Sequence, residues 1–177
     1  RSVIEKIRVQ YPKVALQTEI ASPAELLTML TREEIEFFVA DTGDMVTLPF
    51  LHIEPLMRQY GHLYARYDHP LAHKAHTFED AWTYGIASVK LPDPLKAGLG
   101  QLLQQSKRNL PQLALECDDV HLLHQLALNT DTVVASTDIA AKPWLRQKQL
   151  VQLNTTDFPR LFSNISIVNL SNRALSP

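Results

Sequence analysis

The chain has 177 residues, 45% of them hydrophobic and 20% charged, which is enough apolar material for one or two compact lobes and excludes a disordered or fibrous protein. Its 17 basic and 19 acidic side chains leave a net charge of -2, without the basic excess that phosphate-backbone binding requires, so the chain is not expected to bind DNA by itself. A single cysteine, Cys117, excludes an intrachain disulfide and a cysteine-rich metal site, and no apolar run approaches the roughly 18 residues of a membrane span.

Val3, Ile4 and Ile7 recur at helical spacing as far as Pro12, and VALQTE (14–19) then alternates with the period of a strand. Ser22-Pro23-Ala24-Glu25 is a capping box with proline at the first helical position, opening a helix that carries Leu26, Leu27 and Leu30. FFVA (37–40) is a short continuous apolar run of the kind buried on both faces of a parallel sheet, and the turn-rich DTGD follows it. Two prolines in LPFLHIEPL (48–56) predict a loop with one edge strand, and YGHLYA (60–65) predicts a more regular strand.

The pattern then restarts. Thr77 to Asp80 opens a short helix, GIASV (85–89) is a strand, and LKAGLGQLLQQSKRN (95–109) sets Leu95, Leu99, Leu102 and Leu103 on one helical stripe that Pro111 ends. LALEC (113–117) is a strand, Asp118 or Asp119 caps a helix with Leu122, Leu123 and Leu126, and strands follow at Thr132 to Ser136, Leu150 to Leu153 and Ile165 to Asn169. Alternation of helices and strands predicts parallel α/β sheets with right-handed crossovers. Loop-rich stretches near 66–76 and 150 predict a lobe interrupted by a second lobe, with a ligand-binding cleft where the strands cross.

Tyr67-Asp68-His69-Pro70-Leu71-Ala72, then Thr77-Phe78-Glu79-Asp80 and Ile86, resembles the "HPLA, short helix, strand" signature of LysR-type effector domains. Tyr11-Pro12, Glu25-Leu26-Leu27, Ile35 to Val39, Leu126 to Ala141 and Leu170 to Pro177 resemble further segments of that family, so the likeness covers nearly the whole chain. Two departures stand out: Glu34 replaces a usual glycine, and Asn129-Thr130-Asp131 replaces a glycine-rich turn. The resemblance implies a two-lobed, type 2 periplasmic-binding-protein-like α/β domain with Rossmann-like lobes and two crossing strands. Lobe I would be 1–66 plus 152–177 and lobe II 67–151. It further implies a small-molecule effector, a homodimer through Ile4, Ile7, Leu99 and Leu103, and a tetramer in a full-length regulator. DNA contact would come only through an N-terminal winged helix-turn-helix that this sequence lacks, and the chain reads as a trimmed piece of a cytoplasmic regulator with no membrane partner. The alternative on the same fold is an exported solute-binding protein of a transporter, against which the HPLA segment and the LSP close argue.

Positions just past strand ends are the effector-site candidates: Asp41 and Thr42 after FFVA, Ser88 ending GIASV, and Cys117 and Asp118 after LALEC. The same residues have structural uses, Thr42 in a turn, Cys117 as a small buried side chain and Asp118 as a helix cap. Asp41, Asp44, Asp118 and Asp119 would repel a carboxylate, so the expected effector is neutral, polar or cationic. His69, His73 and His76 are read as solvated loop residues, and His121 and His124 as surface residues opposite Leu122, Leu123 and Leu126, with no metal site or cofactor. Glu116, Asp118 and Asp119 disfavour a Cys117 thiolate, and no nucleophile elbow or phosphate loop is present, so no catalytic residue is expected.

Overall fold

The computed structural model describes residues 3–43, 45–46, 48–103 and 112–171. The expectations placed on Asp44, Pro111 and most of the closing segment, 172–177, lie outside the described residues. The chain forms two compact units: Arg1–Ala40, Thr47–Ile53 and Ile167–Pro177 make one, and Asp41–Val46 with Glu54–Ser166 the other. These units follow packing, and 54–66 and 152–166, which the sequence reading expects in lobe I, pack in the second unit.

In the first unit, α1 (Val3–Gln10) has no buried residue, whereas α2 (Pro23–Thr31) buries Leu26 and Leu30. The Ser22–Glu25 capping box is formed, the Glu25 carboxylate accepting from the Ser22 amide at 3.0 Å. The chain leaves α2 through Glu33, whose positive φ of 59° closes the helix in a conformation that costs a non-glycine residue about 1 kcal/mol. Phe38 of β1 (Phe37–Asp41), Leu51 of β2 (Leu51–Arg66) and Val168 of β9 (Leu161–Leu170) are the other buried apolar residues of this unit among the described residues. VALQTE does not form the predicted strand: Val14, Leu16 and Ile20 are exposed, and an alternating pattern without a neighbouring strand has no backbone partner to hold it.

The second unit is built on β2 and on β4 (Ile86–Ser88), β5 (Leu115–Glu116), β6 (Val133–Thr137) and β7 (Leu150–Gln152). Strand order is β1-β9-β2-β6-β4-β5 with β7 also on β2; β4 is parallel to β5 and β6, and β2 is antiparallel to β6 and β7. Period-two alternation sends neighbouring residues to opposite faces. Leu63, Ile86 and Val133 pack with Phe78 and Ala81 of α3 (Phe78–Trp82) and Leu99 of α4 (Asp93–Leu102). Tyr64, Ala87 and Val134 pack with Leu123 and Ala127 of α5 (Val120–Asn129) and Ala141 of α6 (Asp138–Arg146). Helix α6 is an element the sequence reading missed, because Pro143 lies inside it; burial of Ala141, Trp144 and Leu145 offsets the lost hydrogen bond. The edge strand expected within 48–56 and the strand expected over 60–65 are one continuous strand, β2, with Pro55 inside it, and 49–50 form a turn before it.

Beside this sheet, β3 (Ala75–His76) pairs in parallel with β8 (Asn154–Thr155). His69 and His76 are core residues here, which overturns their reading as solvated. His69, 3% exposed, donates from Nε2 to the Asp131 carbonyl at 3.0 Å and accepts the Leu71 amide on Nδ1 at 3.0 Å, so both nitrogens of the neutral ring are committed. Pro70 fixes the backbone between them, and the segment is a histidine-centred turn.

Burial holds His69 below the ordinary histidine range, chiefly by desolvation. Between the unfolded value of 6.5 and the lower folded one, the unfolded chain takes up a proton that the folded chain refuses. Through His69, urea midpoints should therefore be level from pH 6.5 to about 9 and fall as pH drops below 6.5, with His69→Gln flattening that fall. Tyr64 is fully buried, its hydroxyl has no hydrogen-bond partner, and burial followed by the Asp138 charge pushes it up to about 12. Tyr64→Phe should stabilise the fold by about 1 kcal/mol in urea unfolding. The same change should abolish the loss of stability expected as pH rises from the unfolded value of 10 towards 12.

Candidate functional site

At the end of β1 the chain turns, and Asp41 Oδ1 accepts the Gly43 amide and the Asn164 amide, each at 3.0 Å. The Thr42 amide donates to the Asn164 carbonyl at 2.9 Å, and its hydroxyl donates to the same carbonyl at 3.2 Å and lies 2.7 Å from Ser166 Oγ. Arg58 Nε donates to Asn164 Oδ1 at 3.1 Å, and its guanidinium sits 4.3 Å above the centre of the Phe162 ring. Asp41 and Thr42 are thus fastened to β9, and Arg58, Asn164 and Ser166 join them. Sequence reasoning missed these three because the contacts span more than a hundred positions for Asn164 and Ser166, and a polar residue within a strand carries no local signal of its partner.

The other candidates gather at the ends of β4 and β5. Ser88 is buried, its carbonyl accepts the Cys117 amide at 3.1 Å, and it stands opposite Glu116 in the parallel register. Half-buried Cys117 accepts the Asp119 amide on Sγ at 3.3 Å. Asp119 caps α5 by accepting the Leu122 amide at 3.0 Å, while Asp118 accepts the Lys90 amide at 3.3 Å. Of the two aspartates offered by the sequence, the cap is therefore Asp119. Lys96 lies 2.7 Å from Glu116, and that hydrogen bond holds the Glu116 carboxyl below its usual range. Asp118 and Asp119 have no comparable cation in the described ion pairs, so this end of the sheet carries negative charge.

Strands β9, β2 and β6 separate the Asp41–Thr42 group from the Ser88–Cys117–Asp118 group, four strand spacings or about 19 Å. The structure brings each group together but does not merge them into one constellation. Beneath the second group His124, 2% exposed, shares a hydrogen bond of 3.1 Å with Ser136 and packs by Trp144. Its expected surface position is overturned, because α5 turns His124 and Leu123 inward and leaves Leu122 exposed. Burial, then the nearby His121, depresses its tendency to protonate.

A pocket of about 340 Å3 opens elsewhere in the same unit, between β2 and residues 152–160, and none of the five candidate residues lines it. Of the four proposed dimer residues, Ile4 is exposed and Ile7 half-buried, whereas Leu99 is 5% exposed and packs, with Leu103 beside it, against Phe78 and Ile86. Among the described residues no three metal-ligating side chains converge, and no helix is long and apolar enough to cross a membrane.

The LysR substrate binding domain matches residues 2–177 of this chain. A curated relative, the SDS degradation transcriptional activation protein of a Pseudomonas species, is 29% identical over 174 residues; the match takes in 94% of this chain and 55% of the relative, so the chain spans about half its length. Among solved structures, the regulatory domain of Synechocystis PCC6803 CcmR in complex with 2-PG superposes with a TM-score of 0.69 at 15% identity, over 98% of this chain and 82% of that one. The regulatory domain of CrgA, a LysR-type transcriptional regulator of Neisseria meningitidis, superposes with a TM-score of 0.66 at 15% identity, over 96% and 81%. The architecture is that of these two-lobed, periplasmic-binding-protein-like regulatory domains.

Thr42→Val would leave Ser166 buried without its hydroxyl partner and should cost about 1 kcal/mol in urea unfolding. Adding Ser166→Ala should recover part of that loss, so the double variant would be less unstable than the sum of the single ones.

Proposed function

The chain belongs to the LysR substrate binding domain family, and on that premise we propose that it is the effector-sensing part of a LysR-type transcription regulator, a domain that binds a small molecule rather than transforming one. The family match over residues 2–177 carries this reading. The relative's name, a transcriptional activation protein, favours a regulator over a transporter's solute-binding protein. In this reading the intact protein acts in the cytoplasm, as a dimer or tetramer, and reaches DNA through a winged helix-turn-helix on a longer polypeptide. The functional division is into lobes 1–66 plus 152–177 and 67–151, with Ile4, Ile7, Leu99 and Leu103 as the dimer residues. Burial of Leu99 leaves the exposed helix α1 as the surface that best fits self-association.

Asp41, Thr42, Ser88, Cys117 and Asp118 are the effector residues in this proposal. The Asp118 and Asp119 side chains, spent on amides but not on cations, favour a neutral polar or cationic effector at their end of the sheet. Such an effector regulates only through unequal affinity for two arrangements of the domain, and a ligand that binds both equally shifts nothing.

A thermal-shift screen tests the proposal, because a ligand that binds only the folded chain raises its midpoint. The panel holds amino acids, nucleosides, polyamines, sugars, aromatic acids and, following the relative's name, alkyl sulfates. The expected hit is neutral or cationic, binds at one of the two groups, and loses at least about tenfold in affinity in Asp118→Asn when it sits past β5 or in Thr42→Val when it sits past β1. A dicarboxylate bound at micromolar concentration and weakened by those same changes would overturn the effector class.

A further inference from the structure

We propose that the pocket between β2 and residues 152–160 binds a small organic anion with an apolar body, at a site separate from Asp41 and Asp118. Its volume of about 340 Å3 falls at the small end of the range for metabolite sites. His62 and Leu63 come from β2, Gln152 and Asn154 from β7 and β8, and Phe158 and Arg160 from the turn that leads to β9. No carboxylate lines the pocket, and its one permanent charge is the Arg160 guanidinium. Of the unit's other cations, Arg66 is paired with Asp68 and Asp131, and Lys96 with Glu116. Arg160 forms no ion pair among the described residues.

Among the remaining polar groups, His62 keeps a hydrogen to give. Gln152 Nε2 can only give a hydrogen, and it lies 3.2 Å from His62 Nδ1, so that nitrogen accepts and the ring hydrogen sits on Nε2. Arginine, a neutral imidazole N–H and the amide of Asn154 suit a carboxylate, sulfate or phosphate head, which guanidinium holds with paired hydrogen bonds. A cation would meet Arg160, and a neutral polar head would leave that charge unanswered.

The apolar part of the ligand has a rigid floor. Leu63 and Leu153 belong to the buried core, and Phe158 stacks at 5.5 Å on Phe78. The lining turn is pinned from behind: Thr155 Oγ1 lies 2.9 Å from His76 Nε2, the Thr156 amide donates to the His76 carbonyl at 2.9 Å, and Asp157 accepts the Phe78 amide at 2.6 Å. That last bond turns the nearest acid towards α3 and away from the pocket. A site held open by its own fold spends little of the binding energy on ordering side chains.

This assignment does not rest on the effector reading, since the two concern different residues and opposite charge. Calorimetric titration of the intact chain with hexanoate, hexanol and hexylammonium tests it. Hexanoate should bind at one saturable site, at least about tenfold more tightly than either analogue, and should weaken about tenfold in Arg160→Gln while keeping its affinity in Asp118→Asn. Raising salt from about 50 mM to about 500 mM should weaken hexanoate and leave any hexanol binding unchanged. Arg160 is exposed, so the variant's urea midpoint should match the parent's. Absence of saturation, equal binding of hexanol or hexylammonium, or hexanoate binding lowered by Asp118→Asn and not by Arg160→Gln would overturn the proposal.

Discussion

Burial of the second unit's sheet on both faces is the constraint on which everything else in that unit depends. Adjacent residues of each central strand must serve different cores, Leu63 and Tyr64 in β2, Ile86 and Ala87 in β4, Val133 and Val134 in β6. A slip of one residue in any of these strands would exchange that strand's pair between the two cores, so the register is strongly specified. The requirement also explains Tyr64, whose ring fills one face so completely that its hydroxyl is left without a partner.

Once the register is set, the strand ends are set with it, and the proposed effector residues gather there. β4 and β5 end together at Ser88 and Glu116, which delivers Cys117, Asp118 and the Asp119 cap to one place. β1 ends against β9, where Asp41 and Thr42 spend most of their hydrogen-bonding capacity on Asn164 and Ser166. Residues chosen by position as ligand contacts are therefore also structural ties, and a change at any of them acts on stability as well as on binding.

Electrostatics divides the unit further. Aspartates gather past β5, while the pocket beside β2 presents arginine, histidine and amides and no acid. In the two proposals made above, sites of opposite preference on one small fold would allow two ligands to bias the same equilibrium independently, through nothing more than unequal affinities.

The sequence by itself determined the alternation of helices and strands, the capping box at Ser22, the short helix opening at Thr77, the α/β class and the family likeness, because caps and periodicities are local and carry their physical reason within a few residues. It also placed Asp41, Thr42, Ser88, Cys117 and Asp118 at strand ends, which needs only element boundaries. Tertiary structure alone decided whether a local preference found a partner. VALQTE has strand periodicity and no strand beside it, α6 forms despite Pro143 because its apolar face is buried, and His69, His76 and His124 enter the core because carbonyl and hydroxyl partners wait there. The ties of Thr42 to Ser166 and of Gln152 to His62 belong to the same class: a hydrogen bond between distant positions depends on strand order, and strand order is a property of the packed sheet rather than of any one segment.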